Sequence, residues 1–404
     1  MKKLVLFFAA FASAFAAFSQ ELIEEFLSAR FTENPVRYER AAKAMIAEAA
    51  EGRALHQFLL AAVSDEPTYP ASQRISAELV AEYLKANRRR ISAIADQKEN
   101  PLALYILFLE NGNSDYLKRA AEGDCVYALN ELGMRMMDDA RRRNFAASTS
   151  GILRKSFWYF SRAAEKNDAA GYYNRGICYM NGYGCKASNA EAFSDFSRAS
   201  ELNHPGAKNI LGEMFRDGVS VDKSSQTAEE YFAASAKTGN PYGCYNYAMM
   251  ILSSNAVNKE ASKAVKILER AASARYPEAM NEYGKCLYNS IGIDASVTNN
   301  HHQAVAWWYN AATEQKYAPA MVSLATAFLD GKGVERNELA AISWLEKAAA
   351  EGLPAAMVAL AECHEKGRGN FKPSRYNANW WRTCARAAEG DRNAKVWIGS
   401  HKLK

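Results

Sequence analysis

Five asparagines hold nearly one phase along the chain. Asn130, Asn209 and Asn281 stand three residues before a recurring small residue, and Asn174 and Asn246 stand two before it. A side-chain amide offers both a donor and an acceptor, so a row of them can pair with the backbone of an extended peptide without reading its sequence. Tyr173, Tyr245, Glu213 and Lys285 fall beside the row and would add apolar and charged selectivity. Asparagine is a poor helix former, and packing is a second reason for its repetition, each amide tying neighbouring helices together. The sequence leaves both readings open.

The other chemically capable residues point away from catalysis. Six histidines are scattered, and neither Cys-x-x-Cys nor His-Glu-x-x-His is present to hold a metal. His301-His302 reads as a surface pair in a polar insertion. There is no nucleophile elbow and no phosphate loop, so no cofactor is implied. Trp307-Trp308 and Trp380-Trp381 could make sugar-stacking platforms, but they fall where a column of core aromatics runs, and packing is the preferred reading. Seven cysteines leave at least one thiol over. Cys178, Cys286 and Cys363 share one column with Met214, Met250 and Ala327, which suits cysteine as a small buried apolar residue.

Charge and length narrow the class. Lys plus Arg numbers 50 against 45 for Asp plus Glu, a field too weak to draw nucleic acid. The runs Arg88–Arg90 and Arg141–Arg143 read as local solvated surface. Residues 1–19, MKKLVLFFAAFASAFAAFS, place two lysines before an apolar run that ends in Ala17-Phe18-Ser19, the pattern of a cleavable secretory signal peptide. That run is short for a membrane span, which needs about 20 residues, and no later stretch could span. No Asn-x-Ser/Thr acceptor occurs, which leans toward a bacterial periplasmic or secreted protein. A chain of 404 residues exceeds what one core usually supports, so several domains or a repeat array are expected.

The array is visible. AMVSLATAFLDGKG at 320–333 and AMVALAECHEKGRG at 356–369 agree at seven of fourteen positions. Upstream of Ala325 and Ala361 the small residue recurs as Gly133, Gly176, Gly212, Ala248 and Gly284, at steps of 36 wherever no insertion intervenes. A large apolar residue lies three positions after it, as in Met136, Tyr179, Phe215, Ile251, Leu287 and Phe328, which is one face of a helix. Glycine in a helix costs about 1 kcal/mol against alanine, so the column predicts a neighbour passing too close for a larger side chain. A second column runs through Phe160, Phe196, Phe232, Leu268, Tyr309 and Leu345, each followed by small pairs such as Ala163-Ala164 and Ala348-Ala349. Glycine turns such as Asn181-Gly182-Tyr183-Gly184 separate the columns. Each unit is therefore helix, turn, helix, and units this short must stack to bury their apolar faces.

These features resemble the Sel-one-like repeat family, relatives of tetratricopeptide repeats. They are carried by Ile210-Leu211-Gly212 with Phe215, Asp330-Gly331-Lys332-Gly333-Val334 and Ala349-Ala350-Glu351-Gly352. The resemblance implies an all-α, right-handed α/α superhelical solenoid of helix-turn-helix repeats whose first helices line a concave surface. The expected organisation is a signal peptide over 1–19, a degenerate helical cap over 20–99, about seven units over 100–391 with the first shortened, and a capping helix over 392–404. The implied function is a non-enzymatic protein-protein interaction scaffold that holds a peptide or partner segment on its concave face. In the cysteine-rich branch of the family, disulfides join the two helices of a unit, which makes Cys363 with Cys384 the leading pair and Cys178 with Cys185 the next. Some secreted members of that branch are associated with hydrolysis of cell-wall or β-lactam-like substrates. That alternative requires a Ser or carboxylate activated by a base, and the sequence assembles none.

Overall fold

A computed structural model of the chain describes residues 21–400 apart from 31, 33–34, 52, 65, 67–68, 99, 254–257 and 294–298. The leader expected at 1–19 and the basic end at 401–404 lie outside the described residues. Helix α1 covers residues 21–30. It is followed by α2 (Pro35–Ala50), α3 (Ala54–Val63), α4 (Ala77–Lys98), α5 (Pro101–Asn111), α6 (Ser114–Glu122), α7 (Val126–Arg142) and α8 (Ser150–Glu165). Then come α9 (Ala169–Asn181), α10 (Asn189–Glu201), α11 (Pro205–Asp217), α12 (Ser225–Lys237), α13 (Pro241–Ser253) and α14 (Asn258–Ser273). The chain continues through α15 (Pro277–Tyr288), α16 (Asn300–Glu314), α17 (Ala318–Asp330), α18 (Glu338–Ala350), α19 (Pro354–Lys366), α20 (Arg375–Ala388) and α21 (Arg392–Ser400). No strand occurs among the described residues.

The helices group into two compact units, Met1–Gly243 and Cys244–Lys404. In the first, every helix from α2 to α12 packs on the next. In the second, the same holds from α14 to α21. Each helix thus buries apolar surface against the one before it and the one after it, which is the arrangement of an all-α solenoid of helix-turn-helix repeats. In the first unit a single buried cluster runs from Leu22 to Ala163, so the amino-terminal helices share their core with the repeats.

The small column has a specific neighbour. A Cβ added at Gly176 would lie 2.7 Å from Phe196 Cε1, and one at Gly212 would lie 2.6 Å from Phe232 Cε1. Gly133 meets Phe160 and Gly284 meets Trp308 in the same way. What passes too close is therefore the aromatic ring of the second helix of the same pair. Where the second column holds Leu268 or Leu345, the first holds Ala248 or Ala325. Phe196 and Phe232 are at most 1% exposed, and burying such a ring stabilises by about 1.5–3 kcal/mol.

One position of that column needs correction. Trp308 is 2% exposed and Tyr309 is 50% exposed, so Trp308, not Tyr309, is the core aromatic of α16. One extra residue lies at the end of α16, where Tyr317 N donates to Ala311 O six residues back while His204, Tyr276 and Leu353 donate five residues back, so the core position falls one residue earlier than the period predicts. Trp308 also donates its Nε1–H to the carbonyl of Asn281 at 3.0 Å, satisfying the polar edge that a buried indole brings.

Hydrogen-bonded starts fix α10, α12, α18 and α20, whereas α8 and α16 open without a side-chain cap. Ser188, Ser224, Asn337 and Ser374 each accept a backbone N–H from three residues ahead with the side chain. Their own N–H groups donate to Tyr179, Phe215, Phe328 and His364 carbonyls, three residues beyond the small column. The turn before these caps also joins one pair to the preceding one. Gly184 (φ 74°) lies against the backbone of Leu153 in α8, and Gly333 (φ 75°) against that of His301 in α16. A side chain there would meet both a strained backbone and a filled space.

Candidate partner-binding surface

The asparagine row lies on the first helices, and much of it is buried. Asn130 on α7 is fully buried. Its amide donates to Val126 O at 3.0 Å and to Asp168 Oδ2 at 2.7 Å, and its Oδ1 accepts from Asn174 Nδ2 at 3.4 Å. Asn209 is 5% exposed and donates to Glu213 Oε1 at 3.0 Å. Asn281 is 1% exposed, donates to Glu282 Oε1 at 3.2 Å and accepts from Ser323 Oγ at 2.9 Å. The row therefore links α7 to α9 and α15 to α17. Asn174, Asn246 and Glu213 are half-buried and Lys285 is exposed, with Lys285 Nζ 2.7 Å from Glu282 Oε1.

The two tyrosines repeat one packing contact. Tyr173 stacks on His204 with centroids 4.2 Å apart and 16° between planes, and Tyr245 meets Tyr276 edge-on at 5.5 Å. In each case the ring covers the residue that opens the next first helix. His204 is that residue for α11, where its Nδ1 accepts the N–H of Ala207 at 3.2 Å. Burial pushes its pKa down to about 3, which keeps the imidazole neutral and the nitrogen free to accept. Asp168 plays the part for α9, accepting from Gly171 N at 2.7 Å, and burial raises its pKa.

A groove in the first compact unit brings together residues the row does not include. Arg37 and Arg40 of α2 line a cavity of about 860 Å³ with Lys208 of α11 and Lys237 of α12. Glu25 and Glu201 also line it. Glu25 pairs with the groove's own arginines, 3.0 Å from Arg40 and 3.7 Å from Arg37, and Glu201 lies 2.6 Å from Arg198, which does not line the groove. Lys208 donates to the neutral Asn203 Oδ1 at 3.0 Å, and burial lowers its pKa. The groove thus carries a surplus of positive charge. None of these residues stands at a repeating phase, so the periodic pattern gives no signal for them.

All seven cysteines are free thiols in the structure, so neither Cys363 with Cys384 nor Cys178 with Cys185 is joined. Cys178 and Cys363 are buried while Cys185 and Cys384 are half-buried; burial pushes the Cys178 thiol up to about 12. Trp381 and His364 line a separate cavity with Ser374. That serine hydroxyl accepts the N–H of Asn377 at 3.2 Å as a helix cap, and His364 Nδ1 has no hydrogen-bond partner. The two are therefore not coupled as nucleophile and base through Nδ1. Among the described residues no cluster of three His, Cys, Asp or Glu could hold a metal.

The Sel1 repeat model matches residues 153–168, 169–204, 205–240, 241–276, 277–315, 318–353 and 354–385, more than half of the chain. The chain belongs to the Sel1 repeat family. Its repeats 169–204 through 354–385 correspond to the pairs α9/α10 through α19/α20. Solved structures show the same fold. A protective antigen of uropathogenic Escherichia coli, described as displaying an SLR fold, is similar at TM-score 0.55 and 21% identity, over 96% of this chain and 82% of that one. A Sel1 repeat protein from Oxalobacter formigenes is similar at TM-score 0.53 and 24% identity, over 64% of this chain and 99% of that one. No curated protein matches the sequence. Sel1 repeats are a scaffold for protein-protein interaction, and no helix among the described residues is long and apolar enough to cross a membrane.

Proposed function

We propose that this Sel1 repeat protein is an exported, non-enzymatic adaptor that holds an extended, acidic segment of a protein partner. The observation that carries the reading is the groove of about 860 Å³ where Arg37, Arg40, Lys208 and Lys237 converge while both lining carboxylates are already paired. A concave site with an excess of one sign of charge raises the local concentration of the opposite sign and speeds encounter. The lysine-led apolar run at 1–19 supports export. On the first helices of the first unit, Asn174 and Glu213 keep exposed area with which an extended segment could be read, and Asn130 ties α7 to α9 beneath them.

The test is partner capture from the native envelope fraction with a photo-crosslinker at position 237, comparing the wild-type chain with the Arg40→Glu/Lys237→Glu double variant. The expected result is a crosslink to a partner segment rich in Asp and Glu, weakened by salt and lost on charge reversal. Capture of the same partner by the folded double variant, or a crosslinked segment without acidic residues, overturns the reading.

A further inference from the structure

The basic groove is not polar throughout. Val36 of α2, Leu202 at the end of α10 and Ala234 of α12 line it beside the four cations. Val36 is 55% exposed, and among the described residues ahead of Trp158 no other large apolar side chain is exposed. The helix that carries it does not need it for packing. The buried face of α2 consists of Tyr38, Ala41, Ala42, Met45 and Ala49, and at about 3.6 residues per turn Val36 and Arg40 fall on the side opposite that face.

Two walls of the groove repeat one arrangement. Val36 precedes Arg40 by four residues on α2, and Ala234 precedes Lys237 by three on α12, spacings that put each pair on one face of its helix. An apolar side chain thus stands one helical turn, roughly 4.5–6 Å along the axis, from a cation on either wall. Leu202 and Ala234 are half-buried, so they, like Val36, keep area that a ligand can cover. An extended chain advances about 3.3 Å per residue, and carboxylates one or two residues either side of a seated apolar side chain come level with these cations. The cavity of about 860 Å³ has room for such a stretch.

We propose that the groove selects an acidic segment by one apolar anchor, an aliphatic side chain seated on Val36, Leu202 and Ala234 with Asp or Glu on either side of it meeting Arg40 and Lys237. This rests on the reading of the groove as the site of an acidic segment and adds what separates one such segment from another. Exposed ion pairs each contribute little and are screened by salt. Covering apolar area is not screened, so the anchor supplies the part of binding that salt leaves. Glu25 and Glu201 on the same walls oppose an unbroken run of carboxylates, which favours a segment with an apolar break over a plain polyacid.

The experiment titrates the full chain with two N-acetylated peptide amides, Asp-Glu-Asp-Leu-Asp-Glu-Asp and the same peptide with Gln in place of Leu, by calorimetry at several salt concentrations. The peptides carry equal charge. The expected result is about tenfold tighter binding of the Leu peptide, an equal salt slope for both, and a more negative heat-capacity change for the Leu peptide. Val36→Ser, at an exposed position, should weaken the Leu peptide about fivefold and leave the Gln peptide unchanged; an unaltered denaturant midpoint shows that the variant is folded. Equal affinity of the wild type for both peptides, lost in Arg40→Glu/Lys237→Glu, overturns the anchor and leaves the acidic reading standing. Binding of neither peptide overturns both. A preference for Leu that Val36→Ser does not reduce also overturns the anchor.

Discussion

Among the first helices from α9 to α19 the opening residue changes character along the chain, whereas α7 opens on Cys125 with no side-chain cap. Asp168, His204 and Asn240 open α9, α11 and α13, and each accepts a backbone N–H with its side chain. At the same register Tyr276, Tyr317 and Leu353 open α15, α17 and α19 with no side-chain cap. One solenoid thus starts its helices in two ways. At Asp168, His204 and Asn240 a polar acceptor occupies the helix start and must stay paired; at Tyr276, Tyr317 and Leu353 the side chain caps nothing and the first-turn N–H groups are left to other partners. The glycine-and-ring column, in contrast, is built alike in both, as Gly212 with Phe232 and Gly284 with Trp308 show. Helix starts can therefore diverge while the close contact between paired helices cannot.

The largest effect should come from the shared column. Gly212→Leu is expected to destabilise the first unit by about 3 kcal/mol or more, at or above the upper end of ordinary overpacking, because Phe232 has no room to withdraw. Denaturant unfolding measures it. A midpoint that does not change would sink the close-approach argument.

Acidification should split the units. His204 has its pKa pushed down to about 3 from an ordinary value near 6.5, so between those values only the unfolded chain takes up the proton. Its contribution is complete above pH 6.5 and is lost progressively as pH falls toward 3, on the order of a few kcal/mol in all. Asp168, raised by burial, acts in the opposite sense. The quantity to measure is thus the difference between the wild type and His204→Asn, which keeps an acceptor without titrating. Hydrogen exchange across α11 should show that difference growing as pH falls. A difference that stays constant from pH 7 to pH 4 would contradict the neutral-cap reading.

Asp168→Ala removes the acceptor for Gly171 and the partner of Asn130 together, and an expected loss of about 1–2 kcal/mol follows from a lost cap and an unpaired amide. Leu353→Ala leaves no polar group orphaned, so exchange at the first amides of α19 should change less than at those of α9. Equal changes would erase the contrast. The smallest effect sharpens the comparison from the other side. Ser188→Ala and Asn337→Ala lie in different units but cap second helices in the same way, so each should cost about 1 kcal/mol, with equal fraying of α10 and α18.

How far the sequence could be read depends on what a periodic pattern contains. The small column and its rings were legible because helix geometry fixes their spacing, and the one misplacement, Tyr309 for Trp308, arose where one extra residue at the end of α16 broke the period. The asparagines were legible as a row, but their depth was not: burial of Asn130 depends on Asp168, 38 residues away. The basic groove was not legible because Arg37, Arg40, Lys208 and Lys237 converge through the packing of α2 near α11 and α12. His364 offered a signal of another kind, a polar residue in an otherwise apolar column.

The contact of Gly184 with the start of α8, repeated by Gly333 with the start of α16, bears on how such a chain can grow. The socket belongs to one helix pair and the plug to the next, so a tandem duplication of one whole period carries a matched plug and socket across its new junction. A duplication of half a period would present a turn to a helix start shaped for something else. Unequal crossover in the gene is thus filtered at the protein level: gains and losses of full periods fold, and fractional ones do not. The same joint makes the period the natural cassette for lengthening or shortening the array by design.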